Sequence, residues 1–137
     1  MLGGVGWLVT SFFARPYMQF HDLRTEVIHK SVLYANVSAS ATQRDSDGYR
    51  SHNELSEQEL ARLREAQETF RDLAARMRAF ALNEPITVRF VRLWRYDPLE
   101  TSTALLSVSN TIDAYGKDRN EAKKKLEQML QFKTTAA

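Results

Sequence analysis

The 137-residue chain has no cysteine. That excludes a disulfide framework, a thiol nucleophile and any cysteine-ligated metal. Proline occurs three times, at positions 16, 85 and 98, where it can start or kink a helix. Charge of one sign is also scarce, with a formal net charge of +2. A surplus that small does not by itself call for nucleic acid. No G-x-S-x-G, P-loop or G-x-G-x-x-G pattern is present, which removes the recognisable hydrolase, nucleotide and dinucleotide signatures. No cofactor is implied, and no catalytic or metal-binding constellation supports an enzyme.

What is present suits one folded domain with a real core. The apolar fraction of 43% and charged fraction of 26% are ordinary for a folded chain. Their distribution is uneven. Apart from Thr10 and Ser11, positions 1 to 14 are all glycine, apolar or aromatic. A signal peptide is a poor match, because nothing basic precedes the run and Phe12, Phe13 and Arg15 follow it. A buried core helix and a membrane anchor both fit a run of this length. As a helix it reaches about 21 Å, short of a hydrocarbon core about 30 Å thick.

Three arrangements accommodate an anchor. The helix could continue through Arg15, whose stem snorkels to the headgroups. It could insert partway and rest at the interface. Or Met1 is a truncation, since Met1-Leu2-Gly3-Gly4-Val5-Gly6 reads like the middle of an apolar helix. Trp7, Leu8, Val9, Phe12, Phe13 and Tyr17 are the expected lipid-facing residues. Arg15, Arg24 and Lys30 follow the run and no Lys or Arg precedes it. A spanning helix would therefore leave the C-terminal part in the cytoplasm, at the inner membrane.

The expected organisation has three parts. Residues 1–36 form an apolar anchor helix and its extension into solvent. Residues 37–55 form a flexible polar loop, with almost no large apolar side chain. Residues 56–137 form a bundle of about four helices, so the fold class is all-α. Ser56 and Glu59 match a capping box. Behind them Leu60, Leu63, Phe70, Leu73, Ala74, Met77, Phe80 and Ala81 recur at threes and fours, which predicts a long amphipathic helix. Residues 86–96 fit a strand or a helix. Helix is preferred, because no partner strand is evident. Asp97-Pro98-x-Glu100 is a helix start with cap, first-position proline and acid at N3. Leu99, Leu105, Val108, Ile112 and Tyr115 are its expected buried stripe, and Gly116 its end. In the last helix Ala122, Leu126, Met129 and Leu130 face inward and Lys123, Lys124 and Lys125 face water.

Two weaker patterns carry chemistry in other folds. Glu26-Val27-Ile28-His29 matches one quarter of a carboxylate-bridged di-iron site, but no second Glu-x-x-His exists. Arginines at 71, 76, 78, 89, 92 and 95 crowd a short stretch. Arg89, Arg92 and Arg95, with Trp94, form a candidate face for an anionic partner. The bland alternative is a solvated face paired with Glu65, Glu68 and Asp72. Asn36-Val37-Ser38 is a glycosylation sequon without meaning in the cytoplasm.

The segment GWLVTSFFARPYMQFHDLR, with the distal SNTIDAYGKDR, resembles uncharacterised short bacterial membrane proteins. The resemblance implies an anchored helical protein and carries over no site residue. The leading expectation is thus a non-enzymatic, membrane-associated interaction or scaffold protein, engaging lipid, a protein partner or its own copy. The alternative is a soluble helical module that binds nucleic acid or another anionic partner through the 71–95 arginines.

Overall fold

The computed structural model describes residues 2–35, 57–112 and 117–132. Every element among them is a helix, and they follow in the order α1 (Leu2–Val9), a π-helical turn (Thr10–Ala14), α2 (Arg15–Leu33), α3 (Glu57–Asn83), α4 (Pro85–Leu93), α5 (Pro98–Thr111) and α6 (Lys117–Leu130). The all-α class is borne out, and residues 86–93 are helix, not strand. The expected loop at 37–55, the Ser56 cap, Tyr115 and Gly116 lie outside the described residues.

The first three elements run on as one continuous helix with a local fault. Proline lacks an N–H, and its ring collides with the carbonyl four residues back, here that of Phe12. The backbone immediately upstream of Pro16 widens into the π turn, and the Arg15 N–H bonds to the Thr10 carbonyl. Thr10 itself donates its hydroxyl to the Gly6 carbonyl at 2.7 Å, a back-bond that loosens the α-helical ladder.

The expected extension of the first helix into solvent is corrected. Phe20, Leu23, Val27 and Tyr34 of this segment are buried in the same core as Phe70, Met77 and Leu105. Phe20 is the pivot: its ring lies 5.9 Å from that of Phe80 and 5.4 Å from that of Tyr96. The reason is the spacing 20, 23, 27, which places three large apolar side chains on one helical face. That face is worth more against α3 than in water, at roughly 1.5–3 kcal/mol per large side chain. Val32 and Leu33, which share the segment's apolar pattern, remain exposed.

The long helix α3 is the spine. Its buried face is Ala66, Phe70, Leu73, Ala74, Met77 and Phe80, in the phase that the periodicity predicts. Asp97 caps α5 as expected, accepting from the N–H groups of Leu99 and Glu100 at 3.0 and 3.1 Å. The buried side of α5 differs from expectation. Leu99 is exposed, and Thr101, Ser102, Ala104 and Ser109 are buried with Leu105. Small side chains let α5 lie close to α3. Their hydroxyls are satisfied locally, Thr101 and Ser102 on carbonyls of their own segment and Ser109 on the Gln67 carbonyl at 2.9 Å, which removes the cost of burying them.

The last helix closes the bundle on Ala122, Leu126 and Leu130, with Lys123, Lys124 and Lys125 exposed as predicted. Arg24 on α2 donates from Nε to the Leu130 carbonyl at 3.0 Å, and its guanidinium sits 5.6 Å from the centre of the Tyr96 ring. α2 and α6 are thereby tied together.

Candidate functional site

Two features stand outside the core. The first is the N-terminal helix. Every residue from Gly3 to Thr10 is exposed. Trp7 keeps 67% of its surface, and Leu8, Val9, Phe12 and Phe13 are exposed with it. A Cβ built on Gly3, Gly4 or Gly6 would meet nothing within 4 Å, so these glycines accommodate no neighbouring helix among the described residues. Tyr17 is the sixth expected residue of this set, and it is half-buried. Its ring meets Phe90 edge-on at 6.2 Å and His21 at 4.6 Å. Among the described residues no helix is long and apolar enough to cross a membrane.

The second feature is α4. Pro85 starts it at the first helical position. Thr87, Val88 and Val91 are its buried side. Ile86, Phe90 and Leu93 are exposed and recur at i, i+4 and i+7, one face of a helix. Arg89 and Arg92 run beside that face. The helix ends at Leu93, so Trp94 and Arg95 lie beyond it, which corrects the expectation of one helix carrying all three arginines. The Arg95 N–H bonds to the Arg92 carbonyl and the Tyr96 N–H to the Val91 carbonyl. That is a Schellman C-cap, and Arg95 holds its left-handed position at φ 65°.

The wider arginine cluster does not form one surface. Arg76 pairs with Glu26 at 2.9 Å and more loosely with Asp72 at 3.6 Å. The side-chain hydrogen bond to Glu26 raises the guanidinium's affinity for its proton above the ordinary value. Arg71 reaches Asn110 at 3.5 Å. Arg92 pairs with Asp97 at 3.0 Å. The solvated-face reading thus fits Arg76 with Asp72, but its strongest partner comes from another helix. Arg89 and Arg95 remain exposed beside Trp94.

Glu26 faces Arg76. No group of three or more histidines, aspartates or glutamates among the described residues is placed to hold a metal ion. A cleft of about 50 Å³ opens between α2, α3, α5 and α6, walled by Tyr34, Phe70 and Ile112 and rimmed by Lys123 and Glu127. No family model, curated protein or solved structure matches the chain.

Proposed function

We propose that the chain is a non-enzymatic, membrane-associated helical protein. Its N-terminal helix lodges apolar side chains in the lipid, and its bundle presents a surface on the cytoplasmic side to a protein partner or a second copy. One observation carries the reading: Trp7, Leu8, Val9, Phe12 and Phe13 are all exposed on a helix with almost no polar side chain. Contiguous apolar surface of that kind marks an interaction site. Its helix is short of a full span at about 1.5 Å per residue, so we favour partial insertion at the interface, with Arg15 reaching the headgroups.

The test is fractionation of full-length protein. It should sediment with membranes and require detergent for release. Replacing Trp7 and Phe12 by Glu should move it to the supernatant with its helix content retained. Full-length protein that stays monomeric and free of vesicles without detergent would sink the proposal.

A further inference from the structure

We infer that α4 is a second lipid contact, which lays Ile86, Phe90 and Leu93 on an anionic bilayer surface; the inference rests on the membrane reading of the N-terminal helix. The starting point is that α4 has two apolar faces. Thr87, Val88 and Val91 are buried in the bundle, which fixes the helix in rotation. The opposite face, Ile86, Phe90 and Leu93, is then held outward, and Leu93 keeps 78% of its surface. Packing among the described residues does not account for this stripe.

Charge selects the occupant. Arg89, Arg92 and Arg95 line the stripe and its C-terminal end, and Trp94 is exposed among them. Asp97 offsets Arg92, while Arg89 and Arg95 are directed to the surface. An apolar face bordered by arginine, with a tryptophan at its end, is the composition of a helix lying in a bilayer interface. The contact is also in the right place. The Tyr17 ring meets Phe90 directly, so the α4 stripe begins where the exposed N-terminal helix leaves the bundle. Lipid that receives residues 3–13 would have the α4 stripe beside it.

The chain has two tryptophans, one in each contact, and this separates the two ideas. Trp94→Phe leaves Trp7 as the reporter of the N-terminal helix, and Trp7→Phe leaves Trp94 as the reporter of α4. Each full-length variant is mixed with vesicles of phosphatidylcholine and phosphatidylglycerol carrying brominated acyl chains. Both reporters should be quenched. Adding Phe90→Ser and Leu93→Ser should abolish quenching of Trp94 and leave that of Trp7. Arg89→Gln with Arg95→Gln should weaken partition into the anionic vesicles about 25-fold, at a factor of about five per basic residue, with no such loss on phosphatidylcholine alone. Quenching of Trp7 without Trp94 would overturn the α4 contact and leave the anchor standing. Quenching of neither would overturn both. Equal loss on neutral and anionic vesicles would overturn the role given to charge. So would tight, salt-dependent binding of single-stranded DNA that the arginine pair abolishes.

Discussion

The guanidinium of Arg76 grips both carboxylate oxygens of Glu26, at 3.0 and 2.9 Å, joining α3 to α2 across 50 residues of chain. The pair is about half exposed, so its geometry matters more to alignment than to stability. Its position is informative all the same. Glu26 is next to Val27 in sequence, so the pair lies at the edge of the face that α2 buries.

Removing one partner of this pair should therefore cost little. Glu26→Gln and Arg76→Gln should each lower stability by about 1 kcal/mol or less. A double-mutant cycle by urea denaturation should give a coupling of about 0.2–1 kcal/mol. A coupling of zero would mean that the fork adds nothing to stability.

The core face of α3 should behave very differently. Phe70→Ala should destabilise by about 3–5 kcal/mol, since the side chain is buried in the core. Glu68→Ala, on the exposed side, should stay within about 0.5 kcal/mol. The reverse order in thermal melts would contradict the helical phase.

The two ends of the first helix should separate cleanly. Deleting residues 2–14 removes exposed side chains and should leave bundle stability within about 0.5 kcal/mol. Extending the deletion through Phe20 removes a side chain with 0% exposure, and should cost about 3–5 kcal/mol. Equal melting temperatures for the two truncations would argue against the packing of α2.

At the end of α4, Arg95→Gly should stabilise the fold by about 1 kcal/mol, because glycine carries no penalty in the left-handed conformation. It should also weaken attraction to anionic vesicles. Stability and lipid binding should thus move in opposite directions, by calorimetry and by vesicle co-sedimentation.

Thr87 carries a hydroxyl that is buried and has no hydrogen-bond partner among the described residues. Thr87→Val keeps the shape and removes the unpaired group, and should raise stability by about 1 kcal/mol. A loss of that size would reveal a partner for the hydroxyl.

Helix phases were legible wherever a segment has a single apolar stripe. In α3 and α6 the threes and fours point one way, and the buried residues follow them. Where a segment has two stripes, periodicity cannot say which one is covered. That is the case in α4, and again in α2, where Phe20 and Val27 are buried but Val32 and Leu33 are not. The packing of α2 against α3 is a contact between residues far apart in sequence, and no local pattern encodes it.

Helix starts were easier to read than helix ends. Asp97-Pro98 announces α5 by its own chemistry. The ends of α4 and α6 rest on Arg95 and Gln131, both at positive φ, where glycine is the residue usually sought. A C-cap built without glycine leaves no mark in the sequence. The exposed stripe of α4 leaves no mark for a related reason: apolar residues in a helix point to a core until a second set is seen to occupy it.

The continuity of α1, the π turn and α2 has a mechanical consequence. No slack segment separates the exposed helix from Phe20 and the interior. A grip on residues 3–13 would act on the bundle as on a lever, with torque delivered to the Phe20–Phe80–Tyr96 aromatic contact. The widened turn at Thr10–Ala14 is the one place along the shaft where that torque meets a weaker joint. To the extent that this joint keeps its angle, tilting the outer end would turn the bundle with it and reorient the α4 arginines.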